Sequence, residues 1–547
     1  MAARIGNAAH RAIPLTVVVT ALALSGCGGG GGGGGGGAPA PVTTIELAFT
    51  RMPMAGLDPV QVDATVETDG QPATGLVGTI QIQATAGNLG AVTEPSPGVY
   101  RVVLTPSRTG EHPVTVSVNG VSVTRTPLIL EDVAAGWGQP MAVPGLVNTE
   151  GYEDGVTVTP DGEYVFVQYG AVYFSGIQLF GLPRAQGGAG GDRLNPTRFT
   201  HPWLDNVIGP ITGPERPNFF SGRFSGGQHL HNAASYNVGI DQAPNLAITT
   251  AFYGFKRQPD GSYAEPFRVA FEDENDGLLG PYGLSFQLLG NNRARVIFAL
   301  DDPSDPDMVD FDNDGTDDAQ SLADIYTAEL ELGRDFNLGT YVAAGPPGAT
   351  PVRSTPFNST LVNFGKTGLE GIAGTQGNPH LHAPGGVIRA IFTDDERDAL
   401  SDPDRNKISV HVLTSGTFPG GTWQKVILPS PVNLANPSEE RQPFFTGTEL
   451  FFTRGSDTQL PEVWVSSYSG TDTAADYANT ASWGAPVRIM RITSPSATGE
   501  MAAVGEPTVA SINGKDVLFF VYAVVRGTDP MTGVLDFDFQ AGFLPRS

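Results

Sequence analysis

Nine residues, Asp310-Phe311-Asp312-Asn313-Asp314-Gly315-Thr316-Asp317-Asp318, form the strongest local motif of the chain. Asp310, Asp312, Asp314 and Asp318 stand at alternate positions around a central glycine. Carboxylates spaced in this way wrap a hard cation in oxygen, and the carbonyl of Thr316 supplies a further ligand. Gly315 permits the sharp turn. The expected ion is calcium. A second acidic stretch, Asp394, Asp395, Asp398, Asp402 and Asp404, lacks this order and reads as a solubilising loop.

His-Leu-His occurs twice, at His229–His231 and His380–His382, and holds half of the eight histidines. Residues two apart on a strand share a face, so each pair can present two imidazoles together. Three readings stand. The pairs hold zinc or copper, they hydrogen-bond a polar ligand, or they are a reused strand opening. Similar openings supply Glu153, Asp154, Glu440, Arg441 and Glu506. Glycoside hydrolysis needs two carboxylates about 5–9 Å apart, a separation that sequence does not measure. The sequence carries no Walker loop, G-x-S-x-G, CxxC or HExxH.

The scaffold for these residues is all-β. The 547 residues are too many for one core. They are rich in Gly and Pro, with short β-branched or aromatic runs between turns and no long helical period. From Thr43 to about Asp132, alternating strands are expected at Ile45–Phe49, Val60–Glu67, Thr79–Ala84, Val99–Leu104, Val114–Val118 and Val121–Leu130. This is the spacing of an immunoglobulin-like sandwich, over residues 43–132. Residues 133–547 repeat a different unit: a polar pair with Pro or Gly, a short strand, a turn and a very apolar strand. Copies begin at Glu153, Gln228, Gly280, Asn378, Arg441 and Glu506. Six copies predict a β-propeller of about six blades, with five blades and irregular additions as the alternative. The net charge of −26 argues against nucleic acid as a partner.

Three resemblances add to this reading. Gly98-Val99-Tyr100, Thr105-Pro106, Gly110-Glu111, Asn119-Gly120 and Thr126-Pro127 resemble the second half of a filamin-type immunoglobulin repeat. Thr159-Pro160-Asp161-Gly162 resembles the turn of TolB-type propeller repeats. The Asp310–Asp318 loop resembles the calcium hairpins of integrin α-subunit propellers. It is not an EF-hand, because Ser321 stands where the bidentate Glu would be.

The N-terminus reads as an address. Residues 1–26 combine Arg4 and Arg11, an apolar run from Ala12 to Ala23, and small residues before the single cysteine. The run is about 12 residues, too short to cross roughly 30 Å of hydrocarbon. Leu24-Ser25-Gly26-Cys27 resembles the bacterial lipobox. The resemblance implies cleavage before Cys27, fatty acylation of its sulfur, and, with Gly28 next, an outer-membrane lipoprotein in the cell envelope. Gly28–Gly37 and the Ala-Pro residues that follow, 27–42 in all, then serve as a tether.

The expected function is binding of a protein, peptide or glycan at the channel mouth through His229, His231, His380, His382, Glu153, Asp154, Arg441 and Glu506. The alternatives are a glycan-active hydrolase or lyase at that mouth, and a non-catalytic envelope scaffold. The metal expectation is tested by calorimetry. The metal-stripped chain should release heat on calcium addition, and Asp312→Ala should abolish it. Absence of heat in the unsubstituted chain would remove the calcium site.

Overall fold

The structure is a computed structural model. It describes residues 41–148, 152–170, 251–270, 282–301, 323–334, 336–337, 360–361, 365–369, 377–395, 407–435, 438–456, 459–495, 497–528 and 535–547. Cys27, His229, His231 and the Asp310–Asp318 loop lie outside the described residues.

The first unit is two packed sheets. Thr43–Arg51, Val60–Thr68 and Val99–Thr105 form the centre of one. Gln81–Ala84, Val114–Val118 and Val121–Arg125 form the other. Burial alternates strictly along Val60–Val66, as period-2 patterning requires. Ile45, Leu47, Ala64, Val66 and Tyr100 from one sheet meet Val116, Val118 and Val123 from the other. The last strand ends at Arg125 rather than Leu130, because Pro127 has no N–H to give a ladder.

Five sheets follow, each with a long inner strand. The first comprises Tyr152–Val158, Tyr164–Gly170, Ala251–Arg257 and Tyr263–Ala270, extended by two short parallel strands. The second comprises Tyr282–Gly290, Arg293–Asp301, Ala323–Glu331 and Gly365–Lys366. The third comprises Gly377–His382, Ala390–Asp395, Lys407–Ser415 and Thr422–Ile427. The fourth comprises Glu439–Phe445, Glu449–Ser456, Gln459–Ser467 and Val487–Arg488. The fifth takes Met501–Ile512, Lys515–Thr528 and Leu535–Pro545 from the C-terminus, and Met141–Ala142 from just after the sandwich as its outer strand.

Each inner strand packs on those of the two neighbouring sheets, and the fifth packs on the first. The described chain is therefore a five-bladed propeller, not one of about six. The count differs because Ala251–Arg257 is the third strand of the first blade, paired with Tyr164–Tyr169. It does not follow a separate blade's second strand, as the copy counted from Gln228 requires.

The seam between first and last elements is short, so side chains reinforce it. The ladder proper pairs Met141 and Ala142 with Phe543 and Gly542. It is flanked by a Trp137–Arg546 bridge and by the Gly138 and Val143 N–H groups, which donate to the Pro545 and Ala541 carbonyls at 2.9 Å. Beyond them the Asn148 amide acts as a further strand residue. Its Nδ2 donates to the Ala541 carbonyl at 2.9 Å and its Oδ1 accepts the Ala541 N–H at 2.7 Å. Ala541 is fully buried. The Ala541 carbonyl also accepts the Val143 N–H at 2.9 Å, so Asn148→Ala would leave one buried backbone group, the Ala541 N–H, without a partner, at about 1–3 kcal/mol. The expected result is a lower urea midpoint with unchanged slope. An unchanged midpoint would show that Asn148 does not hold the seam.

Candidate functional site

The inner strands share one irregularity. Each breaks register with its second strand at a corresponding point, between Asp154 and Thr157, Tyr282 and Ser285, Gly377 and His380, Arg441 and Phe444, and Gly505 and Thr508, and the second and fifth carry one further break each. Inside each corresponding break lies a residue with positive φ: Gly155, Gly283, Asn378, Gln442 or Glu506, between 40° and 62°. These are β-bulges, one per blade. Gly283 must lack a side chain, since a Cβ there would sit 2.5 Å from the Asn378 Cα.

The five bulges converge on a cavity of about 570 Å³ along the propeller axis. All five bulge residues line it, as do turns that follow three inner strands, at Pro160, Pro384 and Gly447, and Ser511 near the end of the fifth. The cavity thus opens on the face of these turns. Its aromatic walls are Phe286, Phe444 and Phe445, and its carboxylates are Glu506, Asp472 and Asp516. A second cavity of about 470 Å³ lies between the fourth and fifth blades, lined by the opposite ends of their inner strands. Gln442 and Glu506 belong to both cavities. The Gln442 Nε2 donates to Glu506 Oε1 at 2.6 Å, so this pair stands between the two.

His380 and His382 both line the axial cavity, on one face of their strand as the spacing predicts. They sit in the second half of Gly377–His382, beside the turn, rather than at its opening. His380 joins three blades. Its Nε2 donates to the Phe445 carbonyl at 2.8 Å, which fixes the tautomer, and its Nδ1 lies 3.4 Å from Ser285 Oγ. Its ring lies 4.1 Å from that of Phe444. Burial pushes its pKa down to about 3, so it is a neutral connector. His382 places Nε2 3.1 Å from Asp472 Oδ1. The approach is too misaligned for a satisfied hydrogen bond, and Nε2 is buried. Burial lowers the His382 pKa, opposed by Asp472.

The other expected residues separate. Glu506 reaches the axis. Arg441 pairs with Glu439 and lines the second cavity. Glu153 is buried. Glu440 is buried too, between Arg454 at 3.0 Å and Lys407 at 3.1 Å. Asp154 is placed only by its backbone, in the first inner strand. Neither Glu153 nor Glu440 lines the axial cavity, Glu440 because it is taken up by Arg454 and Lys407. Asp394 is not a loop residue. It is fully buried, and its Oδ2 accepts from Asn378 Nδ2 at 2.8 Å and from the Gln442 N–H at 3.0 Å. Burial raises its pKa against these hydrogen bonds and the Arg441 charge. Among the described residues no group of three or more His, Cys, Asp or Glu side chains could hold a metal ion.

Sequence reasoning missed Asp472. It lies between the third and fourth strands of its blade, just before the short helix Ala474–Tyr477. The Tyr477 hydroxyl donates to it at 3.0 Å. Nothing in the local pattern marks it, because the residue it faces at the site, His382, comes from the third blade.

No known family model matches the chain, and no curated protein matches it. Among solved structures it is similar to an α-L-arabinofuranosidase from Lactobacillus brevis, at 11% identity and TM-score 0.32, over 53% of this chain and 86% of that one. It is also similar to an α-L-arabinanase from Penicillium chrysogenum complexed with arabinobiose, at 9% identity and TM-score 0.29, over 92% and 98%. A third, the α-L-arabinanase of Cellvibrio cellulosa, gives 9% identity and TM-score 0.26, over 53% and 87%. These scores are too low to carry an argument; the five blades rest on strand pairing.

His380 sets a pH dependence. Its pKa is about 3 folded against an ordinary 6.5. Between those values the unfolded chain binds a proton that the folded chain refuses, so stability falls as pH drops below 6.5. Fully buried His411, also pushed down to about 3, adds the same trend. In His380→Gln the stability lost between pH 7 and pH 4.5 should shrink by on the order of 2 kcal/mol. Identical urea-unfolding profiles across that range would show that His380 is not held neutral.

Proposed function

We propose that the propeller recognises a glycan in its axial cavity and is displayed on the cell envelope by an acylated Cys27. The observation that carries the reading is the cavity itself. All five inner strands border one space of about 570 Å³, within the range of about 300–1,000 Å³ typical of small-ligand sites. Phe444 offers partly exposed aromatic surface above the buried Phe286 and Phe445, while Glu506, Asp472 and Thr508 offer polar groups. A sugar ring presents the same two surfaces, an apolar face and a rim of hydroxyls. A folded protein partner would not enter such a space. Calcium at Asp310–Asp318 is retained as a stabilising ion in this proposal.

A second reading, glycan hydrolysis, is favoured by one observation: Glu506 and Asp472 line the same cavity. A hydrolase needs two such carboxylates, one protonated to assist the leaving group. The two readings part in one set of measurements. The purified chain is screened on a glycan array, and array ligands are then incubated with it in a reducing-end assay. Recognition alone predicts binding without sugar release, weakened about tenfold or more in Glu506→Gln. Hydrolysis predicts release that Glu506→Gln removes. No binding to any glycan would sink both and favour the scaffold. In the same expression system Cys27→Ser should move the chain from the membrane to the soluble fraction; retention there would refute the anchor.

A further inference from the structure

The charge of the axial cavity points to the kind of glycan, an inference that rests on the reading just proposed. Glu506, Asp472 and Asp516 are its ionisable acids, and none of its described lining residues is Lys or Arg. Asp516 is engaged from outside by Arg546 at 3.2 Å. Among the described residues Asp472 has no Lys or Arg paired with it. Its facing groups are the Tyr477 hydroxyl at 3.0 Å and His382 Nε2 at 3.1 Å.

His382 is the informative neighbour. Its side chain is only 8% exposed, and its Nε2 faces Asp472 without an aligned hydrogen bond. Burial favours the neutral imidazole, so His382 does not cancel the Asp472 charge. The carboxylate itself remains 31% exposed. Close by, the His382 ring lies 4.9 Å from that of Phe445. A buried polar nitrogen without a satisfied partner and a carboxylate with no described Lys or Arg paired to it thus share one corner of an aromatic-walled cavity. Carboxylate and aromatic faces together are what stabilise a bound ammonium. The same field disfavours an anionic ligand, and the acidity of the whole chain, −26, acts in the same direction.

We infer that the axial cavity selects a glycan bearing free amines, a glucosamine-type oligosaccharide, with Asp472 as the residue that receives the ammonium. Uronic-acid and sulfated glycans are excluded by the same wall. An acetylated amine has the same ring but no charge, so it isolates the effect.

The test is calorimetric titration of the full-length chain with glucosamine oligomers, N-acetylglucosamine oligomers of equal length, galacturonate oligomers and spermidine. The expected order places the free-amine sugar about tenfold or more above its acetylated counterpart, with no binding of the uronate. Asp472→Asn should bring the two amino-sugar affinities within about twofold, and added salt should do the same in part. Asp472 is partly exposed, so the variant is expected to fold; an unchanged urea midpoint checks this. Equal or tighter binding of the acetylated oligomer overturns the inference but leaves the glycan reading standing. Spermidine binding without sugar binding overturns the glycan reading and the inference with it. Binding of none of the ligands does the same. A tenfold preference that survives in Asp472→Asn removes Asp472 from the role.

Discussion

The propeller depends on the capture of a backbone amide of one blade by a side chain of the blade before it. A bulge takes one residue out of its own ladder and leaves an N–H without a strand partner. A buried N–H in that state costs about 1–3 kcal/mol. In the fourth blade the orphan belongs to Gln442, and Asp394 of the third blade accepts it. In the fifth it belongs to Glu506, and Thr453 of the fourth blade accepts it at 2.9 Å. The two acceptors occupy the same place: each stands opposite the residue just before its own blade's bulge, Gly377 or Arg441. Each also bonds the side chain of its own bulge residue, Asn378 or Gln442. One position therefore ties a bulge to its own blade and to the next. Gly377 must be glycine for the same reason, since a Cβ there would meet Asp394 Oδ1 at 2.3 Å.

Where glycine forms the bulge, the tie moves two residues along. Thr157 Oγ1 donates to the Leu284 carbonyl at 2.9 Å, joining the first blade to the second. Ser285 Oγ accepts the Leu381 N–H at 3.0 Å, joining the second to the third. His380 carries the chain on to the fourth. The last tie, from fifth to first, is backbone only: the Ser511 N–H to the Pro160 carbonyl at 2.9 Å. Much of the polar wall of the axial cavity is consumed in holding the ring. The polar groups left for a ligand come from elsewhere, and this is why a loop residue, Asp472, matters more at the site than the strand-opening acids.

This division also explains what was legible in the sequence. Alternation fixed the sandwich strands almost to their ends, because one face of each is buried and a slip would expose it. All five inner strands were marked by their own polar opening and apolar successor, the copies counted from Glu153, Gly280, Asn378, Arg441 and Glu506. The blade number was not, because the third strand of the first blade, Ala251–Arg257, is far in sequence from the second, Tyr164–Gly170. Met141–Ala142 is two residues long and has no period to read. Glu153 and Glu440 had the right residue type in the right place, yet both are buried and neither lines the axial cavity. Only tertiary contacts decide that. The His-Leu-His spacing correctly put two imidazoles on one face, but the neighbour that neutralised the role of His380 was a carbonyl of the next blade.

The sandwich cannot be a freely swinging spacer. Arg526 of the fifth blade binds Glu111 of the sandwich at 2.8 Å, and the Tyr522 hydroxyl bonds the same carboxylate at 2.8 Å. Asp538, fully buried, holds the other side of Arg526 at 3.0 Å, and burial pushes its pKa up to about 8. Gly110 packs so closely against Gly499 that any Cβ would overlap its carbonyl, and Arg108 donates to that same oxygen. Arg51 reaches from the sandwich to the Val133 carbonyl at 2.9 Å. These contacts lie just before Met141–Ala142, the strand that closes the ring. A pull on the N-terminus would otherwise fall on the two ladder residues of that strand. The clamp at Glu111 brings the force into the long strand Lys515–Thr528 instead, which pairs with one neighbour from Lys515 to Val524 and with the other from Val517 to Thr528. A pull on the sandwich is therefore carried by the fifth blade's central strand before it reaches the strand that closes the ring.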